Sequence, residues 1–305
     1  MNLYVSLVFS LCLMVYLMVM GVNNKAMHTH QTDEHSLRWY ESADSQRIQG
    51  VCLVVHGLNL VPQRMESICK VLQRAGMDAL LVSLQGHGEN YRRRDGLAPA
   101  EARMKSFQEV TLGQWRSEVK QAYEIVVQRS RERGVPLYYI GFSLVGLLGP
   151  ELLKADEKVQ FDKMVLFAPA LRIRPFAHIL KLLFLFPGLV IPSKSPETYR
   201  SNRGTPIGAY NAMFSALRNF HNNELERIDI PTLVFLDRDD EFVPYAGIER
   251  FMNRHELERW NLLPVEKDPA LAGEWNHHLI IDKQVVGAKE WQRIIRRMLG
   301  HLRTD

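Results

Sequence analysis

Short apolar runs alternate with longer amphipathic stretches along most of this chain. Val51–His56 (VCLVVH) reads as a strand, and Met65–Ala75 follows as an amphipathic helix closed by Gly76, a residue suited to the position just past a helix end. Ala79–Leu84 is the next strand, and Leu112–Arg133, rich in Glu, Lys, Gln and Arg, is a long helix. Val135–Ile140 is a further strand whose apolar character continues into a helix starting near Leu144 and running to about Ala155. Met164–Ala168, Thr232–Asp237 and Trp260–Val265 add three more strand candidates. Ala288–Leu299 supplies a last helix, with Trp291, Ile294, Ile295 and Met298 on one face. Near-continuously apolar strands separated by helices predict a mostly parallel, doubly wound α/β sheet covered on both faces.

Two stretches depart from that rhythm. Between about Leu171 and Arg227 the alternation stops, over a span too long for a structureless loop, so it is expected to be a helical cap insertion. Within it Phe176–Pro192 carries a single charge, Lys181, and is interrupted by Pro187-Gly188. A lid over a site, a surface that dips into a bilayer and a buried helix all fit that composition. A second membrane span does not, given the length and the internal Pro-Gly.

The other departure is N-terminal. Nothing is charged from Met1 to Asn24, and Leu3–Val22 is apolar apart from Ser6, Ser10, Cys12 and Gly21. A helix of that length reaches about 30 Å, enough to cross a hydrocarbon core. No basic n-region or clear cleavage site accompanies it, so an uncleaved single-pass transmembrane anchor is expected over residues 1–24, with a cleaved signal peptide as the alternative. Residues 35–305 would then form one α/β domain. Lys25 follows the span and no Lys or Arg precedes it, which leans toward a cytoplasmic domain while leaving the side of the membrane open.

Composition narrows the function classes. Hydrophobic and charged fractions of 46% and 24% are those of a globular protein, which excludes disorder and fibrous repeats. The net charge of +4 is mild, and Arg92-Arg93-Arg94, the densest basic run, has no recognition motif around it. Nucleic acid is therefore not expected as a partner; an anionic head group or bilayer surface fits better. Cys12, Cys52 and Cys69 form no CxxC pair, and the last two read as small buried hydrophobes.

Candidate chemistry begins at Gly141-Phe142-Ser143, which follows an apolar strand and precedes a helical stretch. That is the form of a nucleophile elbow, a strained strand-to-helix turn exposing a serine hydroxyl. A serine nucleophile needs a base, an acid that orients the base, and amide donors for the oxyanion. The acidic loop Asp237–Glu241 follows a strand, and Asp240 sits four residues before Pro244. Asn276-His277-His278-Leu279 lies after the last strand. This gives the order serine, acid, histidine, with each group at the carboxyl end of a strand, where such sheets bind ligands. His56-Gly57 closes an early strand and reads as a structural histidine beside a turn, whose amide near Leu58-Asn59 would complete an oxyanion hole with that of Leu144. Gly86-His87-Gly88 reads as a turn. The acidic loop read alone is equally a solvated surface or a weak cation site, and the adjacent histidines are a poor metal motif.

These segments resemble the α/β-hydrolases, and most closely the serine aminopeptidase-type branch that includes monoacylglycerol lipases and lysophospholipases. The resemblance rests on Val-Val-His-Gly-Leu-Asn (54–59), Ser-Leu-Gln-Gly-His-Gly (83–88), Gly-Phe-Ser-Leu (141–144), Asp-Asp-Glu-Phe-Val-Pro (239–244) and Asn-His-His-Leu (276–279). It implies an α/β-hydrolase fold, Ser143 as nucleophile, Asp240 as acid, His277 or His278 as base, and Leu58 and Leu144 as oxyanion amides. The implied activity is hydrolysis of lipophilic acyl esters without metal or organic cofactor. One feature departs from the pattern: Val145 stands where the elbow normally has its second glycine, and Gly146 follows. A tethered, non-catalytic member and a peptidase of the same branch are the alternatives.

Overall fold

The central sheet has seven strands: β1 (Leu37–Tyr40), β2 (Gly50–Val55), β3 (Met77–Val82), β4 (Leu137–Phe142), β5 (Lys163–Phe167), β8 (Thr232–Asp237) and β9 (Trp260–Val265). Their spatial order is β1-β3-β2-β4-β5-β8-β9, and only β1 runs antiparallel to its neighbour. The computed structural model describes residues 36–44, 47–221, 226–271 and 277–303, all within one compact unit, Thr32–Asp305. The expected N-terminal span Leu3–Val22 lies outside them; among the described residues no helix is long and apolar enough to cross a membrane.

Helices α1 (Glu66–Arg74), α2 (Pro99–Gln108), α3 (Leu112–Arg133), α4 (Leu148–Ala155), α6 (Tyr245–Arg254), α7 (Lys283–Val286) and α8 (Ala288–Arg303) connect or follow the strands. β2, β3, β4 and β8 are buried along their whole length, the pattern of strands covered on both faces. Trp115, Tyr139 and Phe107 fill the core, and Phe167 stacks on Phe235 across β5 and β8 with ring centroids 5.2 Å apart. Cys52 and Cys69 are buried free thiols, as their apolar settings predict. Helix α2 has no counterpart in the sequence pattern, because it buries only Ala102, Ser106 and Phe107. Its start is set by Pro99 and by the Glu101 carboxylate, which accepts from the Ala98 amide at 3.0 Å.

The cap occupies the stretch between β5 and β8. It holds a 3-10 helix (Pro175–Leu183), the antiparallel pair β6 (Val190–Pro192) and β7 (Gly204–Pro206), and α5 (Ile207–His221). Helix α5 buries Ala209, Ala212, Met213, Ala216 and Phe220 at helical spacing. The 3-10 helix buries none of its residues, which rules out the buried-helix reading of Phe176–Pro192. Because the inner strands are parallel, β2, β4, β5 and β8 all end on one edge of the sheet, and the loops leaving those ends meet there.

Candidate active site

Ser143 is the first residue after β4 and has a φ of +57°, a left-handed conformation that costs a non-glycine residue roughly 1–3 kcal/mol. Two hydrogen bonds to the chain leaving β5 hold it there. Its amide donates to Phe167 O at 2.8 Å, and its carbonyl accepts from Ala170 N at 3.2 Å. The turn then closes as a short 3-10 helix over Val145–Leu147, and α4 begins only at Leu148. The helix expected from Leu144 therefore starts later. The Ser143 carbonyl is taken by Ala170 N, so Leu147 N donates to Leu144 O at 3.0 Å in a tighter first turn, and Pro150 has no amide hydrogen to give to the Gly146 carbonyl.

Gly146 carries the close packing of this elbow. A Cβ on Gly141 would lie 2.5 Å from Gly146 Cα, and one on Gly146 would lie 3.0 Å from the Gly141 carbonyl carbon. Two backbones meet here with no room for a methyl group. The elbow thus closes with its second glycine three residues after the serine.

Ser143 Oγ donates to His278 Nε2 at 2.6 Å, and His278 Nδ1 donates to Asp240 Oδ2 at 2.7 Å. A carboxylate only accepts, so it fixes the proton on Nδ1 and leaves the Nε2 lone pair for the serine. The other oxygen of Asp240 accepts from the amides of Phe242 and Val243 at 2.8 and 2.7 Å, and the residue is fully buried. Phe142 and Phe242 bracket the imidazole, each with its ring centroid 5.2 Å away. Burial pulls the His278 pKa down, but the charge of Asp240, its hydrogen bond and the charge of Glu241 together outweigh this, and the net shift is upward. Glu241 also accepts from the His278 backbone amide at 2.9 Å, a support that the sequence pattern did not reveal.

Of the two histidines the sequence left open, the structure brings only His278 to Ser143. His277 turns to Asp237, with Nδ1 2.9 Å from Oδ2. Neighbouring side chains diverge, so one histidine serves each carboxylate. Ligand atoms of Asp237, Asp239 and His277 lie within 4.8 Å of one another, a spacing that would suit a cation. Lys267 already sets positive charge against this group: burial pushes its ammonium down to about 8, while Asp237, Glu241, Asp240 and Asp282 pull it back up. The donor set therefore fits a metal poorly.

The predicted oxyanion amides sit at the ends of β2 and β4. The Gly57 carbonyl accepts from His56 Nδ1 at 2.8 Å and Leu60 N at 3.1 Å. A trans peptide points its N–H opposite to its C=O, so the Leu58 amide is directed to the other side. Leu58 and Leu144 line the cavity beside Ser143, and neither amide has an intramolecular acceptor among the described residues. His56 Nε2 accepts from Leu84 N at 3.1 Å, which requires a neutral ring, and burial lowers its pKa to about 4. His87, read from sequence as part of a turn, also braces the oxyanion loop, since its Nε2 accepts from Asn59 N at 3.0 Å.

Ser143 opens into a cavity of about 350 Å³ beneath the cap. Its lining includes Ile173, Ala177, Leu180, Met213 and Phe242, together with the polar Ser193, Lys194 and Ser195. Phe176 and Ile179 line it as well and continue outward into Leu182, Phe184, Leu185 and Phe186, six side chains with exposures between 53% and 75%.

Sheet order, elbow and cap together are those of an α/β-hydrolase. The chain belongs to the serine aminopeptidase family S33, which it matches over residues 46–205, and it is a hydrolase. The matched stretch contains Ser143 and ends before Asp240 and His278. No curated protein matches the chain. Among solved structures it resembles a soluble variant of monoglyceride lipase from Saccharomyces cerevisiae, with TM-score 0.68, 13% identity, and coverage of 91% of this chain and 98% of that one. It also resembles a monoacylglycerol lipase from Paleococcus ferrophilus, with TM-score 0.61, 17% identity and coverage of 87% and 98%. A third likeness is to one of the metagenome-derived lipolytic enzymes LipS and LipT, with TM-score 0.62, 18% identity and coverage of 90% and 99%.

Proposed function

We propose that this protein hydrolyses carboxylic esters of lipophilic acyl substrates with Ser143, His278 and Asp240. The observation that carries the reading is the hydrogen-bonded line from Ser143 through His278 to Asp240, opening into an apolar cavity under the cap. Ser143 Oγ attacks the ester carbonyl carbon while its proton passes to His278 Nε2. The carbonyl oxygen becomes an oxyanion received by the Leu58 and Leu144 amides. The C–O bond to the alcohol then breaks, and His278 returns the proton to the departing alkoxide. Water, deprotonated by His278, attacks the acyl-serine and releases the acid. Asp240 keeps the imidazole in the required tautomer throughout.

The family's description as aminopeptidases favours a second reading, cleavage of aminoacyl amides. Holding a substrate ammonium calls for a carboxylate in the cavity, and the described lining residues include no Asp or Glu. Esters are the better fit. The proposal extends to location: Leu3–Val22 anchors the chain in a membrane, and the exposed apolar edge of the cap faces the lipid from which substrate enters.

The test is labelling by a fluorophosphonate together with hydrolysis of medium-chain acyl esters and aminoacyl arylamides. Labelling of the wild type but not of Ser143→Ala, with esters turned over and arylamides not, is expected. Hydrolysis that survives in Ser143→Ala overturns the assignment. A folded wild type inert to probe and esters supports a tethered, non-catalytic protein instead.

A further inference from the structure

Asn59 follows Leu58 in the oxyanion turn and, like Ser143, has a φ of +57°. Asparagine is among the side chains that tolerate this conformation, so its presence could mean only that the turn is left-handed. Its hydrogen bonds say more. Asn59 Nδ2 donates to Asn202 O at 3.1 Å, and Asn59 Oδ1 accepts from Asn202 N at 2.9 Å. The side-chain amide thus pairs with one backbone unit as a neighbouring strand would. The Asn59 carbonyl accepts from Ser201 N at 2.8 Å, and its amide donates to His87 Nε2 at 3.0 Å. All four polar groups of the residue are engaged, three of them by Ser201 and Asn202, and all three residues are buried.

Ser201 and Asn202 belong to the cap, in the connection between β6 and β7. That connection reaches both halves of the site. Two residues before Ser201, Tyr199 donates its hydroxyl to the Asp282 carboxylate at 2.8 Å, four residues after His278. We propose that Asn59 is a positioning residue: by clasping the β6–β7 connection it holds the Gly57–Leu58 peptide with the Leu58 amide aimed at the reacting carbonyl, so that the oxyanion site is complete only with the cap docked. The clasp rests on the ester-hydrolase reading above. It adds a route by which cap position sets catalytic rate without touching substrate.

Asn59→Gly separates the two meanings of this residue. Glycine suits a φ of +57° at least as well as asparagine, so the turn and the backbone bonds to Ser201 and His87 are kept and only the side-chain pairing with Asn202 is deleted. Loss of an oxyanion donor costs about 10²–10³-fold in kcat, and a donor that is loosened rather than lost should cost about 10–100-fold. The expected result is that fall in kcat on a medium-chain ester with KM within about twofold. Inhibition by an alkylboronic acid, which forms the tetrahedral adduct on serine, should weaken by the same factor. Asn59→Asp retains the acceptor for Asn202 N but turns a second oxygen toward Asn202 O; it should show the same signature, and it is decisive should the glycine variant lose its circular dichroism spectrum. Full kcat in either folded variant, or a loss confined to KM, overturns the clasp. A wild type inert to fluorophosphonate brings down the hydrolase reading and the clasp together, whereas a reactive wild type with an equally reactive Asn59→Gly brings down the clasp alone.

Discussion

Replacing Asp240 by asparagine should nearly abolish turnover without unfolding the protein, and the reason lies in which oxygen each neighbour uses. Asp240 Oδ1 accepts from two backbone amides, at 2.8 and 2.7 Å, so an amide side chain at this position must place its own oxygen there. Its NH₂ group is then left facing His278 Nδ1, where Oδ2 now stands at 2.7 Å. Two donors cannot face each other, so the imidazole must give up its Nδ1 proton and carry one on Nε2 instead. An Nε2–H pointing at Ser143 cannot take the serine's proton. In the serine-protease triad, the equivalent tautomer error lowers kcat by about 10⁴-fold, or about 5.4 kcal/mol in the barrier. Asp240→Asn should therefore lose on the order of 10⁴-fold in kcat/KM for acyl esters and label with fluorophosphonate correspondingly more slowly. The new side chain is isosteric and keeps both backbone bonds, so its circular dichroism spectrum should match the wild type. Asp240→Ala is the poorer test, since it strands two buried amides. Should Asp240→Asn keep more than about a tenth of wild-type kcat/KM, the claim that Asp240 sets the His278 tautomer is refuted.

Three further outcomes follow from the same site. The upward shift of His278 places the acid limb of kcat/KM above the ordinary imidazole value, because the ring holds its proton to higher pH and is a base only when neutral; Glu241→Gln, which removes a raising charge yet can still accept from the His278 amide, should move that limb to lower pH, and an unmoved or rising limb in the pH–rate profile counts against this account. Gly146→Ala forces a methyl group to within 3.0 Å of the Gly141 carbonyl carbon, so urea denaturation should show a loss of about 1–3 kcal/mol, with slower probe labelling; unchanged stability would mean the two backbones are free to part. Replacing Leu182 and Phe186, both exposed on the cap, with serine should slow hydrolysis of a long-chain ester presented in phospholipid vesicles and leave hydrolysis of a soluble short-chain ester intact; equal rates of variant and wild type on the vesicle-borne ester remove the cap from the membrane proposal.

Much of the sheet was legible because parallel strands buried on both faces leave uninterrupted apolar runs. Thr232–Asp237 and Trp260–Val265 are observed with the bounds that the pattern gives, as is the helix Leu112–Arg133, which Thr111 opens and Gly134 closes. Helix α2 was not legible, since an element that buries three residues leaves little periodicity. In the site, Ser143 and Asp240 could be found by their place after strands. The choice between His277 and His278 could not be read, because both follow the same strand and both meet a carboxylate; only the direction in which each side chain leaves the backbone separates them. The contacts of Asn59 with Ser201 and Asn202 were out of reach for another reason, as its partners lie about 140 positions away and are backbone groups that nearly every residue type carries.

The meeting of Gly141 with Gly146 has a bearing on how proteins of this kind vary. In a Gly-x-Ser-x-Gly elbow the size limit falls on the second residue after the nucleophile. Here a 3-10 turn carries that limit one residue further along, onto Gly146. A scan requiring the five-residue motif would pass over this chain, whereas Gly-x-Ser-x-x-Gly, followed within a turn by a proline that favours the tighter helix, would retrieve it. The second glycine of a serine elbow is better defined by the backbone it touches than by its distance in sequence.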